Sequence, residues 1–461
     1  MERLSGLDSA FLYLETPTQL LHVCALVVLD VSTIPGGYHH ETFVAELSER
    51  VRAVPNFRRR LFDSTFNLDH PAWVEDPEFD VDRHLHRIAV PAPGGRDELA
   101  ELCGHLASRK MDRTVPLWEM WVIEGLADGS VALLAKLHHA NVDGVTGAGL
   151  LAHLCSLTPD APLPDPDPDA RGAGDGSLVD LTVGGLLGFA SRPLRMARAL
   201  PGGVTLLPRW IRRARRGEAM PAPFTAPRTS FNGAITGHRT VAYAQLDLAA
   251  VKAVKNAFGV TVNDVVLATV AGALRRYLAD RDELPGDPLV AMVPVSVHDV
   301  SDRPGTNQFS GMFTQLGTHV DDPAARLSQA RDHNMIVKSH NASLGATLLQ
   351  DWSQFAAPAV FGGAMRAYGS LRLAERHPVV TNLIVSNVPG PPIPLYLLGA
   401  RVSALHPMGP IFHGIGLNVT VMSLDGKLNV GLVSCRELAP RLWDLADALD
   451  PALETLVEAA S

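Results

Sequence analysis

Five prolines (Pro159, Pro162, Pro164, Pro166 and Pro168) crowd residues 158–169, with Asp160, Asp165, Asp167 and Asp169 set among them. Each proline fixes φ and removes a backbone donor, so this run can be neither a helix interior nor a central strand. It breaks the chain into two long stretches. At 461 residues the chain also exceeds the length at which a single hydrophobic core usually stops growing. The expected organisation is an N-terminal domain over 1–157, a linker with an attached basic segment over 158–235, and a C-terminal domain over 236–461.

Composition supports two packed cores. Hydrophobic residues make up 46% of the chain and charged residues 19%, which leaves no reason to invoke wholesale disorder. The formal net charge of −9 argues against nucleic acid as a partner. Cys24, Cys103, Cys155 and Cys435 are scattered without metal or redox spacing and read as reduced core residues. The first residues lack a basic stretch followed by an apolar one, and nowhere do roughly 18 apolar residues run uninterrupted. A cytoplasmic protein that does not span a membrane is expected.

Hydrophobic periodicity alternates between strand and helix along both stretches, which predicts an α/β chain. Strands are expected over 20–29, 118–125 and 131–138, and helices over 41–51 and 99–107. Beyond the linker, the spacing predicts strands from 239, over 289–297, 379–386, 415–423 and 428–434, with helices over 248–257 and 261–277.

The strand expected at 131–138 runs into His138, His139, Ala140, Asn141, Val142, Asp143 and Gly144. A neutral imidazole at a strand end can take a proton from a hydroxyl and return it to a leaving group, because its ordinary pKa of about 6.5 lies near working pH. That chemistry suits acyl transfer between a thioester and an alcohol. Asp143 can orient a histidine directly or hold the loop through an arginine, and Gly144 lets the chain turn tightly. Two rivals stand beside this reading: a structural pair of histidines, and a metal site, since His and Asp are competent ligands. No H-E-x-x-H or paired C-x-x-C accompanies the run.

The pattern H-H-x-x-x-D-G resembles the signature of acyl-CoA-dependent acyltransferases related to chloramphenicol acetyltransferase and to peptide-synthetase condensation domains. Four further strings narrow the likeness: Pro116-Leu117-Trp118, Asn263-Asp264 before Val265, Ser386-Asn387 before Val388, and the opening Leu7-Asp8-Ser9-Ala10-Phe11-Leu12. The set, taken in its order along the chain, is similar to the bacterial wax ester synthase/diacylglycerol acyltransferase family. The resemblance implies two acetyltransferase-like domains with an active-site tunnel between them. His139 would be the general base, His138 and Asp143 would hold the loop with Gly144, and Pro116, Leu117 and Trp118 would shape a substrate channel. Asn263 and Asp264 would sit near the domain interface, although Asn or Asp before an apolar run is also a normal helix start. Ser386 and Asn387 would donate to an oxyanion, although the same string is also an ordinary turn.

The implied reaction moves a long acyl chain from acyl-CoA, a co-substrate, to diacylglycerol or a fatty alcohol. No motif points to ATP, nicotinamide, flavin or a metal as cofactor. Two departures bear on the acceptor: His298 stands where the family favours arginine, and Thr306-Asn307 where Gly-Asn is common. An acyltransferase fed by a carrier protein, and a lipid-binding relative without turnover, remain as alternatives.

Residues 178–217 form a basic amphipathic segment. Leu187, Ala190, Leu194 and Ala197 share a helical side, with Arg192, Arg195 and Arg198 beside them and Pro193 bending the run. It can lie peripherally on an anionic membrane or lipid droplet, with Phe189 and Trp210 as anchors, or coat the enzyme body with arginine stems.

Overall fold

The computed structural model describes residues 2–62, 70–141, 154–161, 210–296, 309–344 and 358–461. The first half contains β1 (Glu2–Arg3), α1 (Gly6–Leu14), β2 (His22–Asp30), α2 (His40–Ala53), β3 (Arg59–Phe62), β4 (Ala72–Glu75), β5 (Leu85–Ala89), α3 (Arg96–Ala107), β6 (Trp118–Glu124) and β7 (Val131–His138). The second contains β8 (Arg239–Asp247), α4 (Leu248–Phe258), α5 (Val262–Ala279), β9 (Leu289–Ser296), β10 (Phe309–Leu316), α6 (Pro323–Leu344) and α7 (Pro358–Ser370). It continues with β11 (Leu383–Val388), β12 (Tyr396–Leu397), β13 (Ala400–Met408), β14 (Leu417–Leu424), β15 (Lys427–Cys435), α8 (Leu442–Asp447) and α9 (Leu449–Ala459).

Two six-stranded sheets organise these elements, in the orders β12-β13-β2-β7-β6-β5 and β10-β9-β11-β14-β15-β8. β7 is buried at every position, which explains its nearly unbroken apolar sequence: both faces of the sheet are covered. β2 runs antiparallel to it, with His22 opposite His138 and Cys24 opposite Lys136. The outer neighbour of β2 is β13, a strand from the far end of the chain, with Leu405 opposite Val27 and Met408 opposite Cys24.

Alternation along β2 and β7 divides the apolar residues between two cores. Val27, Leu29, Leu133 and Leu137 pack with Phe43, Leu47 and Val51 of α2, and with Val388 and Met422 from the second sheet. Leu26 and Leu134 pack with Leu99, Cys103 and Leu106 of α3, and with Val241 and Val433 of the second sheet. Each fully buried leucine contributes about 1.5–3 kcal/mol, so the two sheets are joined by continuous apolar packing. Gly104 allows α3 to lie directly against β8, since a Cβ there would stand 2.8 Å from the Arg239 carbonyl oxygen.

Two local expectations are corrected. The strand expected over 379–386 begins only at Leu383, because Thr381 and Asn382 are spent on buried hydrogen bonds to the Val290 backbone. At its other end the strand runs on to Val388, so Ser386 and Asn387 both lie inside β11, opposite Thr420 and Val421, and not in a turn. Trp210 does not point outward as an anchor: its indole nitrogen donates to the Met220 carbonyl at 2.9 Å, and its ring packs near Phe313 and His340. The remainder of the amphipathic segment, 178–209, lies outside the described residues. Among the described residues no single helix is long and apolar enough to cross a membrane.

Candidate active site

The end of β7 is pinned from both sides. The His138 amide donates to the Leu117 carbonyl at 3.0 Å and the His139 amide to the Leu21 carbonyl at 2.9 Å, so the starts of β6 and β2 fix the backbone of both histidines. The buried sequence neighbour Leu117 reinforces this by packing with Phe11, Leu21 and Ala140.

The two imidazoles face different surroundings. His138 is fully buried; its Nδ1 accepts the Ala140 amide at 3.1 Å, so Nε2 carries the proton and donates to Glu15 Oε2 at 3.3 Å. Burial pushes the His138 pKa below its ordinary value despite the opposing pull of Glu15. Burial alone would raise Glu15, yet the hydrogen bond from His138 and the charge of Arg113 hold its carboxyl well below the usual carboxylate range. Arg113 donates both to Glu15 and to the Leu12 carbonyl at the end of α1. His139 is only partly buried, and its ring lies face to face on Phe11, with centroids 4.0 Å apart and planes 9° from parallel. α1 and the residue that caps it therefore supply a partner to each histidine.

A second buried imidazole, His22, stands edge-on to His138 with centroids 6.0 Å apart. Burial and the charge of Lys136 drive its pKa well down, which keeps it neutral. Lys136 itself is fully buried, held by the Leu106 and Arg109 carbonyls and by Glu119 at 3.3 Å. It ties the end of α3 to the sheet.

The other residues singled out from sequence fall in three places. Pro116, Leu117 and Trp118 are buried, and Trp118 donates to the Phe57 carbonyl at 2.7 Å while stacking on His84 at 4.5 Å. Pro116 and Trp118 also border a small cleft with Arg83, Asp112 and Glu119, whose mixed charges suit no hydrocarbon chain. Asp264 closes a capping box with Thr261, the residue that caps α5, and its other oxygen accepts from Asn334 of α6 at 2.6 Å. Asn263 is half-buried beside it, as are Ser386 and Asn387 on β11. Asp143, Gly144, His298, Thr306 and Asn307 lie outside the described residues. Among the described residues no group of three His, Cys, Asp or Glu side chains could hold a metal ion.

Sequence reasoning passed over Glu15, Arg113 and His22. Phe11 was in view only as part of the opening string. Its distance in sequence from His139 gives no sign that their rings meet.

Comparison with known proteins places this arrangement. Residues 4–266 match the wax ester synthase/diacylglycerol acyltransferase catalytic domain, and residues 305–457 match the C-terminal domain of the same enzymes. A putative diacylglycerol O-acyltransferase of Mycobacterium tuberculosis H37Rv is 53% identical over 459 residues, covering 99% of this chain and 90% of the relative. A probable diacylglycerol O-acyltransferase from the same organism is 36% identical over 470 residues, covering 98% of each. Among solved structures, the wax ester synthase/diacylglycerol acyltransferase of Marinobacter aquaeolei VT8 superposes over all of both chains with a TM-score of 0.71 at 30% identity. The first condensation domain of the calcium-dependent antibiotic synthetase shares the fold alone, with a TM-score of 0.58 at 15% identity over 100% of this chain and 96% of that one. With two sheets built as in these two-domain acetyltransferase-like proteins, and with its paired histidines at a strand end, the chain belongs to the wax ester synthase/diacylglycerol acyltransferase family of acyltransferases.

Proposed function

We propose that this protein transfers a long acyl chain from acyl-CoA to the hydroxyl of diacylglycerol or of a long-chain alcohol, with His139 as general base. The observation that carries the assignment is the division of labour between the two histidines. His138 is fully buried and commits both ring nitrogens to structural bonds, whereas the neighbouring His139 is partly exposed. The acceptor hydroxyl gives its proton to the imidazole as its oxygen bonds to the thioester carbonyl carbon. Collapse of the tetrahedral intermediate breaks the carbon–sulfur bond, and the imidazolium returns the proton to the departing CoA thiolate. Proton transfer of this kind is worth roughly a hundred- to ten-thousand-fold. No acyl-enzyme and no further cofactor are needed.

Ser386 and Asn387 are the proposed donors to the oxyanion, Asp143 and Gly144 shape the loop after the base, and the acyl chain occupies an apolar tunnel between the domains. Pro116, Leu117 and Trp118 act on the substrate through the wall they support. Because the neutral-lipid acceptor is poorly soluble in water, the enzyme works at a lipid surface, to which the exposed Arg212, Arg213, Arg215 and Arg216 lend positive charge on an otherwise acidic chain.

The test uses purified wild type and His139→Ala with labelled long-chain acyl-CoA and, separately, diacylglycerol and hexadecanol. Neutral-lipid product and free CoA from the wild type alone support the reading and reveal the preferred acceptor. Equal product from both would remove His139 from the role of base, and no wild-type product with any acceptor would overturn the activity.

A further inference from the structure

We infer that Phe11 is a positioning residue for the proton transfer: its ring face sets the plane of the His139 imidazole and stabilises the imidazolium formed when the base takes the acceptor's proton. This rests on the reading of His139 as that base. The face-to-face contact at 4.0 Å and 9° is the observation behind it.

Phe11 is itself firmly held. It is 5% exposed and packed with Leu4, Leu12, Leu21, Leu117 and Ala140. The helix that carries it is fixed at its start by Ser5, whose hydroxyl accepts the Asp8 amide, and near its end by Arg113 on the Leu12 carbonyl. One residue past that helix, Glu15 accepts from His138. The helix that carries the ring under His139 is thus tied, through Arg113 and Glu15, to the bonds of the neighbouring histidine.

The contact acts differently on the two protonation states. An aromatic ring has a negative face, which attracts a cation placed over it, and the attraction grows when water is excluded. A neutral imidazole gains little from that face and an imidazolium gains more. Phe11 therefore raises the basicity of His139 and lowers the cost of the protonated intermediate. An aliphatic side chain would fill the same cluster without this effect. Fixing the ring plane also holds the reacting nitrogen on the line of the incoming hydroxyl, an orientation effect on turnover more than on acyl-CoA binding.

The test replaces Phe11 with leucine, with methionine, and with a graded series of fluorinated phenylalanines that keep the ring's shape while draining its negative face. Activity is measured between about pH 5 and 9. In Phe11→Leu and Phe11→Met the acidic limb of kcat/KM is expected to move to lower pH by roughly half a unit to one unit. Their plateau kcat should fall roughly five- to twenty-fold, with the KM for acyl-CoA changing less than about twofold. Across the fluorinated series the limb should move stepwise with fluorine content, in proteins whose unfolding midpoints stay near that of wild type. An acidic limb unchanged through that series overturns the inference, even if turnover or stability drops, because a filler of the core would lower those without altering basicity. Phe11→Tyr, which keeps the ring face, should retain the wild-type limb. His139→Ala run in parallel separates the failures: turnover in that variant removes the base itself, whereas its inactivity beside an unshifted fluorinated series removes only Phe11.

Discussion

Glu15 and His138 meet at 3.3 Å with 2% and 1% of their side chains exposed, one just past a helix end and the other at a strand end. The carboxylate stays charged in this dry setting because Arg113 and the His138 N–H both point at it. It is the joint through which α1 grips the end of β7.

Replacing Glu15 with alanine leaves the His138 N–H and the Arg113 guanidinium without their acceptor. Breaking a buried pair from one side costs about 3–5 kcal/mol. Urea unfolding of Glu15→Ala should show a loss of that size, and Glu15→Gln, which keeps an acceptor, a smaller one. Equal losses in the two variants would mean that the charge, and not the hydrogen bond, is what matters.

Stability should fall on acidification in two successive windows that meet between about pH 4.5 and 4. Burial, only partly offset by a bond to the Val430 carbonyl, holds His406 at about 4 against an ordinary 6.5, so the unfolded chain takes up a proton that the native state refuses. The resulting loss begins as pH drops below 6.5, ends near 4, and amounts to about 3 kcal/mol. Glu15, lowered to about 2 from 4.5, stabilises above the higher value and gives that up as pH falls toward the lower. Unfolding of His406→Leu from pH 8 to pH 4 should begin from a lower stability and decline less steeply below about 6.5. A slope equal to that of wild type would refute the assignment.

Asp264 and Asn263 are neighbours with unequal tasks. Asp264→Ala removes both the capping box with Thr261 and the bond from Asn334, a cost of about 2–4 kcal/mol. Asn263→Ala should change stability by less than about 0.5 kcal/mol. Differential scanning calorimetry of both decides it, and a large loss in Asn263→Ala with little in Asp264→Ala would invert the roles.

Gly104→Ala forces a methyl into the space where α3 meets β8. With the Arg239 carbonyl 2.8 Å from the new carbon, the helix must back away, costing about 1–3 kcal/mol. Thermal unfolding should reveal the loss. An unchanged midpoint would mean that the two elements separate at little expense.

Much of this was legible in the chain because local patterns report local structure. β7 runs over 131–138 as its apolar sequence demands, and the helix expected over 41–51 forms as α2, with Phe43, Leu47 and Val51 buried along it. Long-range contacts leave no such trace. Nothing near Phe11 announces that its ring will lie on His139, and nothing in residues 400–408 says that they pair with β2. Trp210 illustrates a different limit: beside several arginines it read as an anchor, but an indole N–H within reach of the Met220 carbonyl is better satisfied facing inward. The cap of α5 fell to Thr261 because its hydroxyl accepts the Asp264 amide while Asp264 reaches back, a reciprocal arrangement open to neither Asn263 nor Asp264 alone.

The pairing of β13 with β2 also sets a timetable. As the chain leaves the ribosome, β2, β5, β6 and β7 are complete long before residues 400–408 have been made, so one edge of β2 waits with its backbone groups bare. Such an edge templates pairing with other chains. The nascent first half is thus open to pairing with other chains, and a fragment cut before residue 236 is expected to give less soluble protein than the full chain.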